Sequence, residues 1–167
     1  MQFTCSLCNE IHEGFPAIGF NSPYAYDILS DIEKVEIAEL SSDFCVIKYP
    51  EQTDRFIRVV LKQKIIGSSE TLEYGIWASL SEKSFNNYKK NYDSENHISG
   101  YFGFLSNAIP GYLNTLSVEA DVKTQSGKSR PEIFPHEDQM ENDFVRDYFN
   151  GITQEEAERR MHLALGS

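Results

Sequence analysis

Two alternating runs constrain this chain more than anything else in it. From Arg55 to Ile66, Ile57, Val59, Leu61 and Ile65 fall on one face of an extended chain, and Arg58, Lys62 and Lys64 on the other. From Thr71 to Leu80, Leu72, Tyr74, Ile76, Ala78 and Leu80 share a face, with Trp77 opposite. Successive side chains of a strand point to opposite sides, so this period marks half-buried strands. Gly67, Ser68 and Ser69 between the runs supply turn residues. The two runs are therefore predicted to pair as an antiparallel hairpin.

Further elements gather around that hairpin. Phe44 to Ile47 is a short apolar run, and Thr115 to Lys123 alternates with Leu116, Val118, Ala120 and Val122 inward. Ser81 can cap a helix carrying Phe85, Tyr88 and Tyr92 at helical spacing. Thr153 and Glu156 form a capping-box pattern ahead of an apolar stripe of Ala157, Met161, Ala164 and Leu165. Between Tyr24 and Leu40 a strand through Val35 and Ile37 competes with a helix capped at Ser30 or Asp31. The acidic and alanine content favours the helix, with Ile32 and Val35 facing inward. Gly14 to Pro23 reads as loop. Strands in the middle with helices around them, and no βαβ rhythm, indicate an α+β fold. The expected architecture is a mainly antiparallel sheet flanked by helices, with an N-terminal CxxC knuckle, as one domain over residues 1–167.

The net charge of −11 disfavours phosphate backbones; it leaves a basic protein partner open, beside the plainer reading that the charge serves solubility. No run approaches the ~20 apolar residues of a membrane span. The first residues lack a basic region followed by an apolar one, so the expected compartment is the cytoplasm. Three cysteines, an odd number, argue against a disulfide framework there. The sequence does not indicate an oligomeric state.

The stretch CSLCNEIH raises the sharpest chemical question. Cys5, Cys8 and His12 are spaced as three ligands of a tetrahedral zinc site, because a tight C-x-x-C turn brings both sulfurs to one side. Cys45, the only other cysteine, is the best candidate to complete the metal set, which would tie the N-terminus to a strand. Two other readings stay open. The thiols can be ordinary small hydrophobes, as a Cys45 between Phe44 and Val46 suggests. A redox pair is a third reading, but such pairs favour a helix N-terminus, and Gly14 and Pro16 follow instead.

Elsewhere, GYFGFLSNAIPGY from Gly100 to Tyr112 reads as a non-periodic loop, plugged into a core by its aromatics or lining a pocket. Asn107 is the amide to follow in such a pocket. Arg58 and Arg130 can each hold a carboxylate bidentately, against a background of structural ion pairs. His136 precedes Glu137 and Asp138 without completing a histidine motif. The stretch His136 to Asp147 reads as a solvated acidic face. No nucleophile elbow, phosphate loop or dinucleotide fingerprint occurs.

CSLCNEIH, SSDFCVI, FIRVVL, YGIWASLSEKSF, FGFLSNAIPGY, RPEI and the late GIT occur in order along nearly the whole chain. Together they resemble a bacterial family known as domain of unknown function 2199. The resemblance implies a one-domain bacterial cytosolic protein and brings no activity with it. It marks Cys5, Cys8, His12, Cys45, Arg58, Trp77, Asn107 and Arg130 as family-pattern positions. Asn9 stands where the family usually has glycine, and asparagine also tolerates a left-handed turn. HEDQMENDFVRDYFNGIT replaces a short His-Pro-containing stretch, which leaves the role of His136 open.

Three functions compete on this basis. The first is a non-enzymatic binding module with a structural zinc at its N-terminus. The second is an acidic, immunity-type antagonist of a basic toxin. The third is an enzyme holding an anionic small molecule near residues 100–112 through Arg58, Asn107 or Arg130. The lack of a catalytic constellation favours a non-enzyme.

Overall fold

The computed structural model describes residues 2–5 and 7–165, the side chain of Leu165 excepted. Its centre is the expected hairpin, built from β6 (Thr53–Lys64) and β7 (Thr71–Leu80), which pair antiparallel from Arg55↔Leu80 to Lys64↔Thr71. The strand set before it comprises β1 (Gln2–Thr4), β2 (Ile11–Glu13), β3 (Ile18–Gly19), β4 (Ala38–Leu40) and β5 (Phe44–Lys48). After it come β8 (Gly100–Leu105), β9 (Glu119–Lys123) and β10 (Glu132–Pro135).

The sheet closes on itself. β7 pairs with β8, β8 with β9 and β9 with β10, all antiparallel, and β10 returns to β6 in parallel through Glu132↔Val60. The result is a five-stranded barrel rather than an open sheet flanked by helices. β5 and β4 extend it along the free part of β6, and β3 adds in parallel to β7. Closure leaves only the short strands β3 and β4 as edges and encloses Ile57, Val59, Leu61, Leu72, Tyr74, Ile76, Ala78, Val122 and Ile133, all essentially inaccessible. Each such aliphatic side chain contributes roughly 1.5–3 kcal/mol relative to exposure.

β8 runs through the stretch that reads as loop. Its alternation is masked because Phe102 and Phe104 point outward while Gly103 occupies an inward position. A Cβ at Gly103 would lie 2.8 Å from the carbonyl oxygen of Ser79, so the sheet admits only glycine there. Residues after β8 then plug the barrel end through Ile109 and Thr115. Strand β9 begins later than the alternating run. Ser117, at φ 68°, reverses the backbone and turns Leu116 out to solvent.

Among the described residues five α-helices lie outside: α1 (Tyr24–Asp27), α2 (Asp31–Glu36), α3 (Glu82–Lys90), α4 (Asp143–Asn150) and α5 (Gln154–Leu165). Ser30 and Glu33 form a full capping box at α2. The helix stops there, and the chain turns into β4, which buries none of α2. Ile32 and Val35 are 68% and 85% exposed, the reverse of the inward orientation expected for them. α4 occupies much of the stretch read as a solvated face. Asn142 caps it, and Phe144 and Val145 are fully buried. Thr153 caps α5 by accepting from the Glu156 amide, while the Glu156 carboxylate pairs with Arg159 and Arg160.

Outside the barrel, Leu29, Cys45, Ile47, Phe56 and Trp77 form a second core beneath α1 and β4. A third, small cluster joins Phe3, Cys5 and Met161, connecting the N-terminal hairpin to α5.

Candidate metal centre

The N-terminal hairpin sets the first three donors. β1 and β2 pair antiparallel with Phe3 opposite His12, so Cys5 leaves the end of one strand as His12 sits in the other. Between them the chain makes a tight knuckle. The Cys5 amide donates to the Glu10 carbonyl at 2.8 Å, and the Asn9 amide to the Cys5 carbonyl at 2.9 Å. Asn9 takes the left-handed conformation, φ 60°, that this turn requires.

The knuckle aims backbone amides at the sulfurs. Burial raises the Cys5 thiol, but the amides of Cys8 and Leu7, then His162 and Cys8, outweigh it and hold the group at about 7. At Cys8 the Glu10 amide favours the thiolate, but burial and the adjacent Cys5 raise the group above its ordinary value. Amides directed at sulfur are the arrangement a thiolate ligand needs.

The fourth donor comes from the far end of the chain. His162 in α5 places its Nε2 2.9 Å from Cys5 Sγ, and His12 Nε2 lies 3.3 Å from Cys8 Sγ. One donor atom each from Cys5, Cys8, His12 and His162 all lie within 4.8 Å of one another. Zinc bonds of ~2.3 Å to sulfur and ~2.0–2.1 Å to nitrogen imply tetrahedral edges of roughly 3.3–3.8 Å. Two thiols and two imidazoles are also the donor set zinc favours, so the residues fit the ion. Phe3 stacks on Phe15 at 4.7 Å and lies 5.6 Å from the His12 ring, giving the group an apolar flank.

Cys45 does not join this group. It is fully buried in the second core among Leu29, Ile47, Phe56 and Trp77. Burial, with the Asp27 carboxylate nearby, pushes its thiol up to about 12, so it stays protonated and packs as a small hydrophobe. The residue missed by sequence reasoning is His162. It lies off the apolar stripe of its helix, and its only signal was being a helical imidazole one residue beyond the buried Met161. The redox reading of Cys5 and Cys8 has no helix to support it, since β2 follows the knuckle.

Of the three residues proposed for an anion pocket, Arg58 and Arg130 lie near one another around Asp43, and Asn107 is engaged elsewhere. Asn107 is buried and engaged at both ends of its amide: its Oδ1 accepts from the Trp77 amide at 2.8 Å and its Nδ2 donates to the Ser22 carbonyl at 2.9 Å. It fastens the plug to β7 and, at 1% exposure, is shut off from solvent. Arg130 Nε pairs with Asp43 Oδ1 at 2.8 Å, beside a cavity of about 100 Å³ lined by Tyr88, Tyr92 and His97. Arg58 lies near that pair, its amide donating to the Asp43 carbonyl at 3.0 Å, but its guanidinium rests over the Trp77 ring on the outer face of β6. His136 Nε2 donates to Asp121 Oδ1 at 2.8 Å on an open surface, and Glu119 and Asp138 lie nearby.

A closed β-barrel with a Cys2His2 cluster tying its two flanking ends defines the class of protein. The chain belongs to the bacterial family DUF2199, described as "Uncharacterized protein conserved in bacteria", whose model it matches over residues 4–152. His162 falls beyond the matched stretch. No curated protein and no solved structure matches the chain.

Proposed function

We propose that this chain is a non-enzymatic binding module whose N-terminal hairpin and C-terminal helix are clasped by one structural zinc ion. The convergence of Cys5, Cys8, His12 and His162 from a knuckle, a strand and a distant helix carries the reading. Four protein donors fill a tetrahedron, and a closed tetrahedron offers no position for a substrate or an activating water. The metal would supply cross-linking energy between the hairpin and α5, which otherwise meet through the small Phe3, Cys5 and Met161 cluster.

The binding role rests on the segment from Tyr24 to Leu40. It exposes Ile28, Ile32 and Val35, and it carries five acids (Asp27, Asp31, Glu33, Glu36, Glu39) against one lysine. An apolar face rimmed with acids suits a basic protein partner, including a toxin countered by an immunity-type protein.

Metal analysis of protein purified without chelator tests the first part. One zinc per chain is expected, and protein that carries none and takes none up would remove the clasp. The second part is tested by retention from native lysate at low and high salt, with wild type and Val35→Asp. Salt-sensitive retention of a basic protein, lost in the variant, is expected; retention indifferent to both would contradict the proposed face.

A further inference from the structure

Arg58 is an anomaly in an acidic chain. The sequence contains six arginines and 26 acids. Five of those arginines lie within 4.0 Å of a carboxylate: Arg55 with Glu82, Arg130 with Asp43, Arg146 with Asp143, and Arg159 and Arg160 with Glu156. Among the described residues Arg58 has no such partner, and its enclosed Nε makes no hydrogen bond. An enclosed N–H left without an acceptor is destabilising, the more so in a charged group.

The guanidinium is nevertheless held in place. It lies over the ring of Trp77, its cross-strand neighbour, with the carbon 5.5 Å from the ring centroid. Trp77 is itself fixed by its indole N–H donating to the Phe20 carbonyl at 2.9 Å. Beyond Trp77 the arginine spans two glycines that face one another across the β3–β7 pair, Gly19 and Gly75. A Cβ at Gly75 would lie 3.1 Å from Arg58 Nη2, and one at Gly19 would lie 3.4 Å from it. The sheet thus clears a flat bed for the charged group and stacks an aromatic against it. Burial draws the group below its ordinary value, the like charge of Arg130 adds to this, and Asp43 offsets it in part. Asp43 is already bound to Arg130, so it does not neutralise Arg58.

We infer that Arg58, on its bed of Gly19, Gly75 and Trp77, is a receptor for the terminal oxyanion of a small ligand, a carboxylate or a phosphate. The guanidinium fork matches either group bidentately, and pre-positioning removes much of the entropic cost of binding. The site is independent of the metal centre and of the proposed protein partner.

Trp77 is the only tryptophan in the chain, so its emission reports on this site alone. Zinc-loaded protein is titrated separately with inorganic phosphate and with acetate, against sodium chloride at matched ionic strength. A saturable change with at least one of the two, absent with chloride, is expected. Saturation by phosphate alone assigns phosphate chemistry, and saturation by acetate alone assigns a carboxylate. Arg58→Gln is expected to abolish the response, and Arg58→Lys to weaken it about tenfold or more, since lysine keeps the charge without the fork. No saturable change up to about 50 mM, the weak end of measurable affinity, would overturn the inference. So would equal affinity in Arg58→Lys. Should Arg58→Gln fail to fold, the Nε–H resonance of Arg58 in wild-type protein gives the same answer: it shifts saturably with the anion, or the inference fails.

Discussion

Cys5 and His162 meet at 2.9 Å although 157 residues separate them in the chain. The contact joins the first hairpin to the last helix, whereas the contact of Cys8 with His12 lies within the hairpin. Replacing His162 with alanine therefore removes one donor and separates the ends. Zinc affinity should fall by at least about 10²-fold, as loss of a first ligand exceeds the 10–100-fold effect of losing its supporting partner. Amide exchange should rise in residues 2–13 and 154–165 while β6 and β7 stay protected. Uniform loss of protection across the barrel would contradict a clasp confined to the ends.

Cys45 distinguishes this site from one built from all three cysteines. Cys45→Ala should keep full zinc content and lower stability by about 1–2 kcal/mol, the cost of a small vacancy in a packed cluster. Zinc content and urea unfolding check both. Loss of zinc in this variant would return Cys45 to the metal.

Arg160 anchors the helix that carries His162. Its side chain is almost fully enclosed, donating through Nη1 to Tyr74 at 3.2 Å and through Nε to Glu156 at 3.0 Å, and bonding the Tyr112 hydroxyl. Asp147 lies 3.4 Å away and completes the network. Arg160→Met should cost about 3 kcal/mol, near the lower end for breaking a buried pair, because both carboxylates retain some solvent. A variant within 1 kcal/mol of wild type in urea would show that the network contributes little net stability.

Asp43 gives the structure a defined acid dependence. Burial raises its carboxyl, but hydrogen bonds from Arg130, Tyr92 and Ser42 outweigh that and hold the group below the ordinary carboxylate range. A depressed folded-state value stabilises the fold above the unfolded value, ~4. That stability is lost as pH falls through the folded value. Asp43→Asn should therefore be less stable than wild type by about 1 kcal/mol at neutral pH, a partly solvated pair. The gap should close as pH drops below 4. A gap constant from neutral to acidic pH would refute the assignment.

The sequence was legible where one strand determines its own faces. Ile57, Val59 and Leu61, and Leu72, Tyr74 and Ile76, alternate because the barrel interior is wholly apolar and the outside is not. Barrel closure was not legible, since it depends on a parallel contact of Glu132 with Val60 that no local pattern encodes. The capping box of Ser30 and Glu33 located α2 but not its orientation, which is set by the turn into β4 rather than by the apolarity of Ile32 and Val35. At the metal centre the same division holds. Cys5, Cys8 and His12 share one hairpin and could be read from spacing, whereas His162 reaches them only through the docking of α5 against the barrel. Cys45 shares their chemistry but faces a different core.

The central claim is that two sulfurs and two imidazoles share one zinc ion. X-ray absorption at the zinc edge on wild-type protein measures that coordination directly. The account predicts two sulfur neighbours at about 2.3 Å and two nitrogen neighbours at about 2.0 Å. A shell of three sulfurs and one nitrogen, or protein that binds no zinc, would contradict it.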